Sequence, residues 1–287
     1  MSTDRSVVRR ARVAGLRAAV LLALVAACGG SGPAGAGDAP KADLAAEYLP
    51  GRSATAYVPE HPDGTVVVLV PGGGWQTADP SGLLPLAARL ARRGSLAVAV
   101  SYRAADDGVH FPAPAEDVAC AVSWAAALGE RKLPEVRHVV VLGHSAGGHL
   151  ASLVALGAVG AVGHDGCPSA PVSPDAFVGL AGVYDVGQLA DAVEPLFGTT
   201  PDEDAARWRA GDPVQQAATA PDDLRVLLLH GTADTTVPIM QSQRFRDVLV
   251  AAGVPVELVP VDGADHMSLF TAPVAAGPVA DWLDTLP

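Results

Sequence analysis

Short apolar, β-branched runs recur along this chain, separated by amphipathic stretches, and that alternation constrains the fold more than any other feature. Val66-Val67-Val68-Leu69-Val70 is the strongest run. Five apolar residues in succession fit a strand covered on both faces, because a strand with one wet face alternates apolar with polar. Residues 96–100, 139–142, 177–180, 226–229 and 256–261 repeat the pattern, and 48–58 adds one or two edge strands. Between them, Leu83, Leu86, Ala87 and Leu90 fall at helical spacing and Gly94 sits where that helix would stop. Pro114 can open a second helix with Val118, Val122 and Ala125 on one face. Residues 146–157, 239–252 and 276–286 also read as helices. Strands alternating with helices predict an α/β fold, a mostly parallel central sheet with helices on both faces. The interval 182–224 breaks the rhythm with four prolines and an acidic cluster at Asp202, Glu203 and Asp204. It reads as a small cap-like insertion of short helices over the C-terminal strand ends, with the acidic cluster on a solvated face.

Composition removes several function classes. Hydrophobic residues make up 49% of the 287 residues and charged residues 17%, which excludes a disordered chain. The net charge of −12 argues against nucleic acid or an anionic membrane surface as partner. No run of 18 apolar residues is present, so no ordinary membrane span is expected.

The N-terminus has a different character. Arg5, Arg9, Arg10, Arg12 and Arg17 precede an apolar stretch of ten residues, 18–27. A basic start followed by a short apolar run is an export signal rather than a span. Leu24-Val25-Ala26-Ala27-Cys28 resembles a bacterial lipobox, which implies cleavage after residue 27 and a diacylglycerol on the Cys28 sulfur. The alternatives are a plain secretory peptide, or a twin-arginine signal at Arg9-Arg10. Residues 28–44 read as a flexible tether and 45–287 as the folded domain. Removing five Arg and one Asp with the signal leaves 14 basic against 30 acidic residues. The protein is therefore expected in the bacterial cell envelope, touching the membrane only through lipid at Cys28, or secreted. Cys120 and Cys167 remain as a disulfide in an oxidising compartment, or as two buried thiols.

Chemistry concentrates at the ends of strands. The strand at 139–142 runs into Gly143-His144-Ser145-Ala146-Gly147-Gly148-His149. Gly143-x-Ser145-x-Gly147 is a nucleophile elbow, in which a sharp strand-to-helix turn projects the serine hydroxyl above the sheet. In a glycine-rich chain the pentapeptide alone is weak evidence. Its position, closing a strand and opening an apolar helix, is the stronger part. Pro71-Gly72-Gly73-Gly74-Trp75 follows the first strong strand, and glycines let backbone N–H groups approach a substrate oxygen. The N–H groups of Gly73, Gly74 and Ala146 are the candidate oxyanion hole. No Lys-Ser/Thr pair follows the glycines, so a nucleotide loop is disfavoured. Asp234 lies just past the strand at 226–229 and His266 just past 256–261. The order Ser145, Asp234, His266 is the order expected of this arrangement. Asp185 and Asp265 are rivals to Asp234. Trp75, His144 and Met267 are candidate pocket residues, with core packing an equal alternative for Trp75. His144 and His149, which flank the elbow, read as shaping it and not as reacting. His230 and the pair Arg103 and Asp117 read as structural. Neither HExxH nor paired cysteines occur, so no metal and no cofactor are expected.

These segments resemble the α/β-hydrolase family over about residues 45–287. Within it the chain looks most like the carboxylesterase branch of hormone-sensitive-lipase-like and feruloyl/acetyl esterase-like enzymes. The residues carrying the resemblance are Pro71 to Trp75, Ser101-Tyr102-Arg103 with Phe111-Pro112-Ala113, Asp117 and Trp124, Gly143 to His149, and Asp234-x-x-Val237-Pro238 with His266. The glycine loop of that branch usually begins with His, and Pro71 stands in its place here. The resemblance implies a serine carboxylesterase acting on a small-molecule ester. Three other readings stay open: an exported serine peptidase, an acylamide hydrolase of arylformamidase type, and a non-catalytic surface binding protein.

Overall fold

The strand that begins at Thr65 is valine-rich because both of its faces are covered. The computed structural model describes residues 41–159 and 166–287. The export signal, Cys28 and most of the tether lie outside those residues. Eight strands form one sheet: β1 (Leu44–Leu49), β2 (Arg52–Tyr57), β3 (Thr65–Val70), β4 (Leu96–Val100), β5 (His138–His144), β6 (Ala176–Leu180), β7 (Arg225–Gly231) and β8 (Val256–Val261). Their spatial order is β1-β2-β4-β3-β5-β6-β7-β8. All pairings from β4 to β8 are parallel, while β2 runs antiparallel to both β1 and β4.

The period-2 geometry of a strand sends alternate side chains into two separate cores. Val66, Val68 and Val70 face one with Val98 and Val141, and Val67 and Leu69 face the other with Ala97, Val140 and Leu142. The helices are α1 (Leu84–Ala91), α2 (Ala113–Lys132), α3 (Ala146–Ala155), α4 (Ala190–Phe197), α5 (Ala205–Ala210), α6 (Pro213–Gln216), α7 (Met240–Ala251) and α8 (Ala272–Leu283). Helices α2, α3 and α7 cover the first core, and α1 and α8 the second. Each fully buried Val or Leu in β3 contributes roughly 1.5–3 kcal/mol.

Two boundaries differ from the sequence reading. The last helix begins at Ala272, four residues early, because Pro273 stands in its first turn where a proline lacks nothing the helix needs. Pro278 lies inside it, within both the expected and the observed helix. The edge strands form a β1–β2 hairpin that starts at Leu44 and turns at Gly51, whose φ is +72°. Edge strand β8 accommodates Pro260, as only an edge can.

The interval 182–224 folds as short helices, α4 to α6 flanked by 3-10 turns. Its acidic cluster is not purely solvated. Asp204 caps α5 by accepting the Arg207 N–H at 3.0 Å, and Glu203 accepts from the Thr200 N–H at 2.8 Å.

Cys120 on α2 and Cys167 ahead of β6 form a disulfide across 47 positions of sequence. Closing a loop of that length is expected to stabilise the fold by about 4 kcal/mol. Urea unfolding of the doubly substituted Cys120→Ala, Cys167→Ala protein should therefore show a markedly lower midpoint. An unchanged midpoint would mean the bridge constrains nothing.

Candidate active site

Each candidate residue leaves the sheet at the C-terminal end of a parallel strand, where open α/β sheets carry their sites. Ser145 is the single residue between β5 and α3, and its backbone sits at φ +53°, ψ −120°. A non-glycine residue there carries strain of order 1–3 kcal/mol and persists only where its surroundings over-determine it. The Ser145 N–H donates to the Leu180 carbonyl on the neighbouring strand at 3.0 Å, and the His149 N–H donates to the Ser145 carbonyl at 3.1 Å. The flanking glycines are required by contact. A β-carbon on Gly143 would collide with the Gly147 carbonyl, and one on Gly147 with the carbonyls of Val70 and Pro71. The turn leaves Ser145 half-exposed, and its hydroxyl bonds to no described residue.

Asp234 and His266 meet because their strands are neighbours. β7 and β8 pair in parallel register from Val226↔Val256 to Gly231↔Val261. The two following loops are stitched by the Ala233 N–H to the Ala264 carbonyl at 3.0 Å. His266 Nδ1 donates to Asp234 Oδ2 at 2.7 Å, while Asp234 Oδ1 accepts the N–H groups of Thr236 (2.8 Å) and Val237 (2.9 Å). Burial pushes the Asp234 carboxyl up. The hydrogen bond from His266 and its electrostatic attraction, together with the two amides, outweigh that and hold it below the usual carboxylate range. The rivals are engaged elsewhere: Asp185 pairs with Arg244 at 2.7 Å, and Asp265 accepts from Ser268 N–H at 2.7 Å.

His144 joins the serine turn to the histidine loop. Its Nε2–H donates to the His266 carbonyl at 3.0 Å, and its ring lies 4.7 Å from that of His266 and 4.4 Å from Phe270. Burial, then the neighbouring charge of His266, lower its pKa to about 3, so the ring is neutral. At 5% exposure it braces the site from beneath instead of lining a pocket. Trp75, also expected as a wall, is 3% exposed and spends its indole N–H on His149. Met267, beside His266, is the one of the three that reaches solvent, at 45% exposure.

The glycine loop is shaped by its own backbone. Gly73 has φ +142° and Gly74 φ +59°, and the Gly73 carbonyl accepts the N–H groups of Gln76 (3.1 Å) and Thr77 (3.3 Å). A β-carbon on Gly73 would strike the Thr77 carbonyl, and one on Gly72 would lie 3.1 Å from the Ser145 Cβ. The loop therefore runs directly against the serine. Tyr102 Oη donates to the Pro71 carbonyl at 3.2 Å, an anchor from the next strand. Below it, Arg103 grips the fully buried Asp117 bidentately, with its Nη2 at 2.7 Å from Oδ1 and its Nε at 2.9 Å from Oδ2. The N–H groups of Gly73, Gly74 and Ala146 donate to no described backbone or side chain. His230, expected to be structural, and Gln241, for which the sequence offers no signal, are both buried supports. His230 bonds the Val237 carbonyl at 2.9 Å and Ser242 Oγ at 2.8 Å beneath the Asp234 turn. Gln241 Oε1 accepts from the N–H groups of Tyr184 and Asp185. Only a three-dimensional neighbour could have revealed either role. Among the described residues no cluster of His, Cys, Asp or Glu could hold a metal.

The BD-FAE family model matches residues 56–249. The chain is 31% identical over 199 residues to the probable carboxylic ester hydrolase LipM of Mycobacterium tuberculosis, covering 65% of this chain and 45% of LipM. It is 28% identical over 245 residues to the kynurenine formamidase of Danio rerio, covering 83% of this chain and 74% of that protein. The chain spans about half the length of most curated relatives it matches. The propionate-bound esterase Est2 of Thermogutta terrifontis superposes with a TM-score of 0.67 at 23% identity, over 86% of this chain and 93% of that one, a likeness of fold. With the family model matched across the glycine loop, the serine turn and the Asp234 loop, this chain belongs to the BD-FAE family of α/β-hydrolases.

Proposed function

We propose that this protein is a carboxylic ester hydrolase that cleaves small or short-acyl esters through an acyl-enzyme on Ser145. One observation carries the reading: a 2.7 Å Asp234–His266 hydrogen bond at the same sheet end as a half-exposed serine on a strained strand-to-helix turn. Because His266 Nδ1 donates to Asp234, its Nε2 is left with the lone pair that can accept a proton. Ser145 Oγ attacks the ester carbonyl carbon while its proton passes to His266 Nε2. The carbonyl oxygen becomes an oxyanion, held by the N–H groups of Gly73, Gly74 and Ala146. The tetrahedral adduct collapses, the C–O bond to the alcohol breaks, and His266 returns the proton to the leaving oxygen. Water, deprotonated by His266, then releases the carboxylic acid and restores Ser145.

Likeness to a kynurenine formamidase over most of both chains favours a second reading, cleavage of an aryl formamide by the same steps. There His266 protonates a leaving amine instead of an alkoxide. The Arg-rich start, the short apolar run and the lipobox-like segment at Cys28 support export to the cell envelope with a lipid anchor. The Cys120–Cys167 bridge suits that oxidising destination.

Treatment with an aryl organophosphate is expected to stop p-nitrophenyl acetate hydrolysis and to leave one adduct, mapped by peptide mass spectrometry to Ser145. An adduct on another residue, with activity lost, would refute the assignment. Initial rates on acetyl, butyryl and octanoyl aryl esters and on an N-formyl arylamine separate the two readings.

A further inference from the structure

Three parts of the site that are remote in sequence are joined through one buried imidazole. Trp75 Nε1–H donates to His149 Nδ1 at 3.2 Å, and His149 Nε2 lies 2.7 Å from the Gly211 carbonyl. A carbonyl only accepts, so Nε2 carries the proton and Nδ1 keeps the lone pair that the indole requires. The two rings meet edge to face, with centroids 5.5 Å apart at 85°. His149 is wholly buried, and burial lowers its pKa to about 4, which keeps this tautomer neutral at ordinary pH.

Trp75 directly follows Gly74 and has φ +59°, a strained setting for a large side chain. Something must hold it there. Its carbonyl accepts the Ala105 N–H at 2.9 Å, and its side chain has the His149 bond. His149 is one helical turn beyond Ser145 on α3, and Gly211 belongs to the 182–224 insertion.

We infer that His149 is a positioning residue: through Trp75 it fixes the Gly73–Gly74 backbone relative to the serine turn, and through Gly211 it ties both to the insertion. The inference rests on the esterase reading, in which those two glycines hold the oxyanion. Displacing an oxyanion donor by about 1 Å can cost on the order of 100-fold in rate. Ground-state binding of a planar ester uses those donors far less, so the cost falls on kcat.

The test compares Trp75→Phe, which keeps the ring and removes the N–H, with His149→Leu, which removes both bonds, and His149→Gln, whose amide can both accept and donate. Wild-type p-nitrophenyl acetate turnover is measured first. Trp75→Phe and His149→Leu should lower kcat about 10- to 100-fold with KM within about twofold. Both should weaken inhibition by an alkylboronic acid, whose serine adduct is a tetrahedral anion, by a similar factor. His149→Gln should recover most of kcat. If His149→Leu does not fold, Trp75→Phe decides alone. Wild-type kcat in Trp75→Phe, or a loss of thermal stability with kcat and boronate affinity unchanged, overturns the inference and leaves the esterase reading intact. A wild-type protein with no hydrolysis overturns both.

Discussion

Ser145→Ala is expected to lower kcat/KM for p-nitrophenyl acetate by about 10⁴-fold or more while leaving the thermal midpoint within a few degrees of wild type. The two halves of that statement have different physical origins. Without the hydroxyl no covalent intermediate forms, and only transition-state contacts to the oxyanion donors remain. Stability is spared because the Ser145 hydroxyl bonds to no described residue, so its removal leaves no buried partner unsatisfied. The backbone strain at φ +53° is common to serine and alanine. Circular dichroism melts and initial rates on the same preparation check both halves. Activity above about 1% of wild type in the folded variant would remove Ser145 from the chemistry.

The strands were legible because burial on both faces writes itself as an uninterrupted apolar run: β3, β4 and β5 fall within three residues of the stretches read from the chain. The elbow was legible for a related reason. Glycine at 143 and 147 is demanded by backbone approach, a constraint only that residue type meets. Asp234 and His266 could be picked because each closes a strand, and the parallel β7–β8 pairing then brings them together. What stayed hidden depends on orientation. Nothing in the spacing of Trp75 and His149 says that an indole N–H will find an imidazole nitrogen 74 positions away. His144 looked like a pocket residue because it adjoins Ser145, yet its ring is buried against those of His266 and Phe270. The start of α8 stayed hidden because residues 272–275 include Pro273, which local preference rejects in a helix interior but which the first turn accepts.

Acid should destabilise this protein from about pH 6.5 downward, before its carboxylates begin to protonate. His144 has its pKa lowered to about 3, first by burial and then by His266, and His149 to about 4 by burial, against an ordinary 6.5. Burial lowers that of His230 as well. The charged or titratable groups acting on His144 are His266, Asp234 and His230, whereas His149 meets the neutral Gly211 carbonyl and the Trp75 indole. For a group whose folded pKa is depressed below its unfolded value, the unfolded chain binds the proton first. Stability is then complete above about pH 6.5 and declines as pH falls toward the folded pKa. Each unit of difference is worth about 1.4 kcal/mol, so His144 and His149 each withdraw roughly 3–5 kcal/mol by pH 3–4. A domain has about 5–15 kcal/mol in all, so the two together withdraw a large part of it. The Asp234 carboxyl, held low by His266, adds loss of the same sign as it protonates. Urea midpoints at pH 7, 6, 5 and 4 should therefore fall with a slope of at least about two protons below pH 6. In His149→Gln the slope should flatten by about one proton, because that side chain cannot charge. A midpoint constant from pH 7 to 4 would mean that the buried imidazoles take up protons without opening the fold.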